Sequence, residues 1–481
     1  MFVGLDIGTQ SLKAVVCDDA LAVRGEAAVG YEPDFPRPGW AEQDPRLWED
    51  ALAPAIGAAL AEAAIDADAV TALGIAGQLD GCIPVNGEGT ALGPALIWMD
   101  RRAVAETEGI DPALVLERAG VVLDATHMAA KIRWLRRHGP DAAAVYHQPV
   151  SYLVARLTGA NCMDHGLAST SMVYALGARG YDNALLEQFA IEPEWLPSVA
   201  EADAVAGALT PDGAAMTGLR AGLPVAVGTG DDFSNPLGAG LAAPGRVAGA
   251  LGTAEVVGAL DPRPVIDRDS LVETHAYADG LFFVENPGWL SGGALSWFVK
   301  VHGLADAAAL DALAGRVPAG ADGVTFLPAL SGAMAPQWIA AARGAYYGLT
   351  PSHGAGHMAR AVLEACAFAM RDVVERLMAL GVAADSLLLL GGGAKSALWA
   401  QIRADATGLP AEVPRRHDTS PVGAAMLAAV AAGAWPSVAA AAQQVGAIAR
   451  VVEPDVALKP VYDEAYARYR DLFECLRPLY R

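Results

Sequence analysis

Positive charge is scarce in this chain. It has 33 Lys and Arg against 55 Asp and Glu, a formal net charge of −22 over 481 residues. A surface this acidic repels phosphate backbones and anionic headgroups, so no nucleic-acid partner and no membrane partner is expected. An anionic ligand then needs a local site of backbone N–H groups, metal and a few cations. Cysteine is sparse too. The five residues, Cys17, Cys82, Cys162, Cys366 and Cys475, form no CxxC pair and no zinc pattern. That excludes a disulfide framework and predicts reduced, mostly buried thiols in a cytoplasmic protein. No basic-then-apolar signal opens the chain, which starts directly on a strand. One long stretch, residues 420–449, carries no charge. It is rich in Ala and Gly and is broken by Gly433 and Pro436, so two packed helices are expected there rather than a membrane span. With 53% hydrophobic and 18% charged residues, the chain reads as globular and long enough for two or three domains.

What is present begins at Gly4-Leu5-Asp6-Ile7-Gly8-Thr9-Gln10-Ser11-Leu12-Lys13. Two apolar strands, 2–6 and 12–18, flank a small polar turn. Gly8 permits a tight turn and close approach of a ligand to the backbone. Successive N–H groups in such a turn make an anion nest. Thr9 and Gln10 add hydrogen-bonding groups, and Lys13 adds a charge. Asp6 is a lone carboxylate at the end of an apolar strand. Beside a phosphate nest it suits Mg2+, which takes one or two carboxylates together with phosphate oxygens. An ordinary hairpin with an exposed Asp is the plainer reading of this turn alone.

Residues 44–64 show helical spacing, and 70–76 read as a buried strand ending in the polar turn Gly77-Gln78-Leu79-Asp80-Gly81. A short strand at 94–98 ends in Met99-Asp100-Arg101-Arg102. Ligands gather at the carboxyl ends of strands in an α/β sheet, so the polar clusters around Gln78 and around Asp100 are site candidates. A solvated charge cluster at a helix start remains the alternative for Asp100. Residues 104–200 read as mainly helical, with Asp164 as a turn residue.

A strand at 223–228 runs into Thr229-Gly230-Asp231-Asp232. Asp231 sits where a strand hands over to a helix, where a carboxylate can take the proton of a substrate hydroxyl. Asp232 is free to cap that helix. Around residues 241–246 the chain restarts: 247–257 repeats strand, Gly252-Thr253 turn and strand, a weak internal duplication. Residues 354–380 form the clearest long helix, with Met358, Val362, Cys366, Ala369, Val373 and Leu377 on one face. A buried strand at 386–390 then meets Gly391-Gly392-Gly393-Ala394-Lys395 before a helix starting near Ser396. Glycines there let a flat base or a phosphate lie on the backbone.

Together these stretches resemble the two phosphate loops and the adenosine loop of the actin/hexokinase/heat-shock-chaperone ATPase superfamily. Trp40-Ala41-Glu42-Gln43-Asp44-Pro45, Gly74-Ile75-Ala76-Gly77-Gln78, Ile97-Trp98-Met99-Asp100-Arg101-Arg102, Gly228-Thr229-Gly230-Asp231, Phe326-Leu327-Pro328 and Gly344-Ala345-Tyr346-Tyr347-Gly348-Leu349-Thr350 narrow it. The chain resembles the FGGY carbohydrate kinases over nearly its whole length, and among them the xylulokinases. The resemblance implies an α/β fold of two ribonuclease-H-like domains, residues 1–243 and 244–481, with a central cleft. It implies ATP against the second domain, held at Gly8, Thr9, Gln10, Lys13, Gly252, Thr253 and Gly391, Gly392, Gly393, Ala394, Lys395. It implies Mg2+ near Asp6, Asp231 as catalytic base, and the sugar against Gln78, Leu79, Asp80, Asp100 and Asp231. The implied reaction converts D-xylulose to D-xylulose 5-phosphate.

Three departures stand out. Leu79-Asp80 replaces Met-His, which changes hydrogen-bond polarity at the sugar turn. Ala333-Met334 replaces Glu-Arg, and Asp232 replaces a neutral residue. Kinases of ribulose, erythritol or glycerol therefore stay open, as do an actin-like ATPase and a degenerate sugar sensor. The family analogy also implies a homodimer.

Overall fold

A computed structural model describes residues 1–480. Its first sheet contains β1 (Phe2–Ile7), β2 (Ser11–Cys17), β3 (Val23–Gly30), β4 (Ala72–Gly77), β5 (Val205–Ala208) and β6 (Pro224–Ala226), in the order β5-β6-β4-β1-β2-β3. Every residue of β1 and of β4 is buried. Both faces of these central strands are covered, which is why they read as continuous apolar runs without alternation. The second sheet contains β7 (Gly245–Leu251), β8 (Ala254–Asp261), β9 (Glu273–Ala276), β10 (Phe282–Leu290), β11 (Ala384–Leu390), β12 (Ala411–Pro414) and β13 (Ile448–Val452). Their order is β9-β10-β8-β7-β11-β12-β13. The run β6-β4-β1-β2-β3 thus has its counterpart in β12-β11-β7-β8-β10. The faint repeat of two Gly-Thr hairpins is a repeat of whole sheets.

Register puts the polar turns side by side. In the first sheet Asp6 pairs with Lys13 across β1 and β2 and with Ala76 across β1 and β4. The two-residue strand Thr229–Gly230 pairs with Ala76 and Gly77. Asp6, Gln78 and Asp231 therefore leave the sheet at one edge. In the second sheet Ala250 pairs with Leu390, so the turns at Gly252 and Gly391 share an edge in the same way.

The helices that matter here are α1 (Pro45–Ala63), α2 (Asp231–Gly238), α3 (Ala355–Ala379), α4 (Ala397–Thr407), α5 (Ser420–Ala431) and α6 (Val438–Val445). Helix α1 starts on Asp44, whose side chain accepts from the Arg46 N–H, with Pro45 in the first turn. Helices α5 and α6 fill the uncharged stretch, and no helix among the described residues is long and apolar enough to cross a membrane. Helix α5 is buried nearly throughout. It lies far along the chain, yet it packs on the first sheet, against β1 and β4, and on α2.

That packing is close enough to forbid side chains. A Cβ on Gly4 would overlap the Pro421 carbonyl oxygen, and one on Gly74 the Ala424 carbonyl oxygen. Gly238 and Gly423 face Thr419 and Ser234 backbone in the same way. Ser234 Oγ donates to the Ser420 carbonyl at 2.7 Å, and Thr419 Oγ1 donates to the Asn235 carbonyl at 2.6 Å, which fixes α5 against α2.

A fully buried ion pair ties two elements of the second half together. Arg403 of α4 grips Glu255 of β8 through both guanidinium nitrogens, at 2.5 and 2.6 Å, with both side chains fully buried. Arg403 also lies 4.4 Å from the Trp399 ring centroid. Glu255 follows the Gly252-Thr253 turn directly, so the pair pins that turn to the helix that follows the triple-glycine turn.

One expectation needs correction. Residues 104–200 are not mainly helical. Five short helices, the longest Met128–His138, alternate with short strands and loops. The apolar residues there are spread over many small elements that wrap one end of the first sheet, which a helical reading of composition misses.

Two measurements probe this packing. Gly74→Ala drives a methyl group into backbone and is expected to cost about 1–3 kcal/mol, or more if α5 lifts off, read by urea unfolding. Arg403→Gln leaves Glu255 buried without its partner and is expected to cost about 3–5 kcal/mol in the same assay.

Candidate active site

The first turn is built tightly. Gly8 N donates to the Ser11 carbonyl at 3.0 Å, and Tyr31 Oη donates to the Gly8 carbonyl at 2.8 Å. Gln43 Nε2 donates to the Thr9 carbonyl at 2.7 Å, and Trp98 Nε1 donates to Thr9 Oγ1 at 3.0 Å. Gln10 is exposed. Asp6 is buried at the turn's base, and its Oδ1 has no hydrogen-bond partner. Its Oδ2 lies 3.6 Å from Lys13 Nζ, which in turn reaches Asp418 Oδ2 at 2.7 Å. Burial raises the Asp6 pKa, with Lys13 opposing and Asp418 adding to the rise. An orphaned carboxylate oxygen of a hard donor beside a phosphate-sized turn fits Mg2+.

Asp231 is the first residue of α2 and follows Gly230, whose backbone is extended. It is half-buried. Burial pushes its pKa well above the ordinary carboxylate value, and the charges of Asp232 and Asp6 add to the rise. Lys13 feels the Asp231 charge as well, so Asp6, Lys13, Asp231 and Asp418 form one electrostatic group. Asp232 makes no capping hydrogen bond. It is pushed up to about 7, by burial and then by the charge of Asp80, so it lies within electrostatic reach of the Gly77–Gly81 turn.

The Gly77–Gly81 turn is held from behind. Gln78 donates from Nε2 to Gln43 Oε1 at 2.7 Å and leaves its own buried Oε1 unpartnered. Leu79 is half-buried and sits against Gly230, where a Cβ would lie 3.1 Å from Leu79 Cδ2. Asp80 takes φ of 57°, a left-handed conformation that Asp tolerates better than most residues. Gln148 Oε1 accepts from the Asp80 N–H at 2.9 Å, and Lys131 Nζ donates to the Asp80 carbonyl at 2.6 Å. Burial alone would raise the Asp80 carboxyl, but His127, Lys131 and Thr170 outweigh it and hold it below the ordinary value.

Asp100 stands apart from this group. It is fully buried, accepts the Ala41 N–H at 2.7 Å and pairs with Arg102 at 2.7 Å. Arg102 is itself stacked 3.6 Å over the Trp40 ring. The carboxylate is taken up inside the first half, which departs from the acceptor contact expected of it. Asp164 likewise turns inward, capping the His165–Ser169 helix and accepting from Thr229 Oγ1 at 2.7 Å.

In the second half, the backbone of the Gly252-Thr253 turn accepts from Gly292 N at 3.1 Å and from Gly293 N at 3.0 Å. Gly391 has φ of 78°, and a Cβ there would lie 2.8 Å from the Leu251 carbonyl oxygen. Gly392 is exposed with nothing within 4 Å of a Cβ position, so it offers open backbone. Gly393 packs on the Trp399 ring, Ala394 is buried and Lys395 is exposed. The helix after the turn starts on Ser396, whose Oγ accepts from the Trp399 N–H at 3.0 Å.

Sequence reasoning missed several residues that the fold brings in. Trp98 and Asp418 flank the first turn. His127, Glu273, His275 and Glu285 form a buried chain of contacts behind Asp80. Trp98 lies in the Ile97–Arg102 motif, which by itself assigns it no role; the others sit in no motif, and their relevance comes from tertiary approach alone.

Comparison with known proteins agrees with this geometry. Residues 1–238 match the N-terminal domain of the FGGY family of carbohydrate kinases, and residues 247–432 match its C-terminal domain. The chain is 29% identical to the xylulose kinase of Escherichia coli (strain K12) over 489 aligned positions covering all of both chains. It is 33% identical to the glycerol kinase of Gloeobacter violaceus, over 90% of this chain and 88% of that one. The crystal structure of a xylulose kinase from Rhodospirillum rubrum superposes with a TM-score of 0.90 at 30% identity, covering 100% of this chain and 99% of the other. With both domain matches in place and the cleft between two like-ordered sheets, this chain belongs to the FGGY family of carbohydrate kinases.

Proposed function

We propose that the protein transfers the γ-phosphoryl group of ATP to a hydroxyl of a small sugar or polyol, with residues 1–243 carrying the acceptor and 244–481 most of the nucleotide. The observation that carries this is the position of Asp231 at the start of α2, within electrostatic reach of Asp6 and Lys13, with the adjacent Asp232 in reach of Asp80. Phosphoryl transfer needs positioning and charge neutralisation more than covalent chemistry. Gly8, Thr9, Gln10 and Lys13 from one side, and Gly252 and Thr253 from the other, are placed to hold the phosphates. The open backbone of Gly391–Lys395 suits the adenosine. Asp6 would hold Mg2+, which when bound neutralises phosphate charge. Asp231 accepts the proton of the attacking hydroxyl. Lys13, tied to Asp6 and Asp418, keeps a positive charge within this otherwise acidic group. All five cysteines are free, four of them buried, which agrees with a reducing, cytoplasmic setting.

D-Xylulose, giving D-xylulose 5-phosphate, is the first acceptor to test, because relatives named xylulose kinase match along the whole chain. A second reading, a polyol, is favoured by the carboxylate of Asp80 at the acceptor turn and by the glycerol kinases at similar identity.

The assay follows ADP release and phosphorylated product together across ketoses and polyols. Product from one acceptor supports the reading. ADP release without any product in the presence of every acceptor points to an ATPase instead. Asp231→Asn is expected to lower kcat by at least about a hundredfold while ATP affinity by calorimetry changes little. Loss of ATP binding in that variant would remove Asp231 from the role of base. The base must be ionised, and its pKa is raised. Activity is therefore lost as pH falls through a limb lying above the ordinary carboxylate range, and a pH profile of kcat/KM checks this.

A further inference from the structure

A buried string of titratable side chains crosses from the first half to the second behind the acceptor turn. His127 sits just before the Met128–His138 helix and makes no capping hydrogen bond there. Its Nδ1 lies 3.2 Å from Asp80 Oδ1, and its Nε2 lies 3.7 Å from Glu273 Oε1. Glu273 is on β9, in the second sheet, and its Oε1 also accepts the Val122 N–H at 2.6 Å. Past it, His275 Nε2 lies 3.9 Å from Glu273 Oε2 and 3.4 Å from Glu285 Oε1. His127, Glu273, His275 and Glu285 are at most 5% exposed. Two buried atoms of the string, Glu285 Oε2 and His275 Nδ1, have no partner.

The hydrogen-bond polarity of this wall is one-sided. Lys131 directs its ammonium to the carbonyls of Asp80 and Ile97. Gln78 has its Nε2 on Gln43, and both ring nitrogens of His127 face carboxylates. The side-chain oxygens left over as fixed acceptors are those of Gln78 and Asp80, since burial pushes Asp231, Asp232 and Glu285 toward their protonated forms. A hydroxyl can donate to such a wall. A ketone carbonyl only accepts, and burying it against the Gln78 amide oxygen and the Asp80 carboxylate leaves polar groups unpaired at a cost of kilocalories.

We propose that the Asp80–His127–Glu273 bridge is the device that sets acceptor preference in this chain, with His127 as a positioning residue. It holds the Asp80 carboxylate as a fixed hydrogen-bond acceptor and ties it to the second half, so that the turn takes a hydroxyl where a ketose presents a carbonyl. The proposal rests on the phosphotransfer reading above and selects an alditol within it. His127 is held well above its ordinary pKa: burial opposes, but Asp80 and then Glu273 outweigh it. The other charged groups around it are Asp124 from the preceding loop, Lys131 from its own helix and His275 from β9. Because the raised pKa belongs to a cation, its hold on Asp80 is complete at low and neutral pH and is lost as pH rises through that value.

The test uses the full-length enzyme and pairs that differ by one carbonyl: glycerol with dihydroxyacetone, ribitol with D-ribulose, xylitol with D-xylulose. The wild type is expected to favour the alditol of its best pair by at least about tenfold in kcat/KM. In His127→Gln the acceptor KM rises by about tenfold or more, kcat falls less than that, and the KM for ATP stays within about twofold, so the preference collapses. Glu273→Gln moves the same parameters in the same direction. The wild-type acceptor KM rises on the alkaline side, and His127→Gln lacks that rise. A wild type that uses the ketose of its best pair as well as the alditol overturns the proposal. So do variants that lose thermal stability but keep the wild-type preference. No product from any of the six compounds overturns the phosphotransfer reading instead. In that event calorimetry of the same pairs still decides the proposal: tighter alditol binding that His127→Gln removes supports it, and equal binding of alditol and ketose overturns it.

Discussion

The close approach of α5 to the first sheet is the constraint on which the cleft depends. Gly4, Gly74, Gly238 and Gly423 all face backbone at distances that leave no room for a Cβ. Helix α5 comes from the last fifth of the chain and begins two residues after Asp418, the partner of Lys13. Where α5 sits therefore decides where Asp418 sits, and so where Lys13 directs its charge. The same helix is clamped to α2 through Ser234, Asn235 and Thr419, and α2 begins with Asp231. Four glycines packed on backbone thus set the spacing among Asp6, Lys13, Asp231 and Asp418. Interiors at crystal-like density transmit a misfit of a few tenths of an ångström rather than absorbing it.

Electrostatics gives that spacing its meaning. The group has three carboxylates and one ammonium, in a protein already strongly acidic. Without a cation, burial drives Asp6 and Asp231 toward their neutral forms. Asp6 keeps an unsatisfied oxygen in the meantime. A divalent cation with a polyphosphate reverses this by favouring the ionised form of Asp6, the usual logic of opposite charge overriding desolvation. On the proposed reading, the base is then most competent when the nucleotide is in place. Unproductive proton uptake in the empty cleft is not a hazard, because no acceptor is held there.

Much of this was legible in the sequence, and the part that was not has a common cause. Both Gly-Thr turns, the triple-glycine turn, the start of α2 at Asp231 and the long helix α3 were all marked by local signals: a glycine, an apolar run, a capping residue. The resemblance to the FGGY kinases supplied their order and hence the two-sheet fold. What the sequence did not show depends on approach between distant segments. His127 and Glu273 are 146 positions apart by number and meet only because β9 reaches the acceptor turn. Arg403 and Glu255 were equally silent. Asp100 looked like a site residue because it ends a strand beside two arginines, yet that same Arg102 neutralises it and turns it into scaffold. The helical reading of 104–200 failed because short elements wrapping a sheet have the composition of helices without their length.

The duplication also explains how one architecture serves two unlike ligands. Pairing aligns Asp6 with Ala76 in the first sheet and Ala250 with Leu390 in the second. By that register Asp6 corresponds to Ala250, and Gln78 corresponds to Gly392. The first half therefore ends its strands in a carboxylate and an amide, and the second ends the same strands in a methyl group and bare backbone. The one carboxylate beside the second turn, Glu255, is fully paired with Arg403 and has no surface. Carboxylate and amide side chains are thus concentrated on one wall of the cleft, and the other wall offers glycine backbone with the positive charge of Lys395 beside it. A hydroxyl-rich acceptor needs the first kind of wall, because each hydroxyl must find a partner as it leaves water. A purine ring and a phosphate chain suit the second kind, where glycines let backbone N–H groups come close and no anion repels. On the proposed reading, the asymmetry between the halves, rather than the fold they share, is what fits the molecule to move a phosphoryl group from one wall to the other.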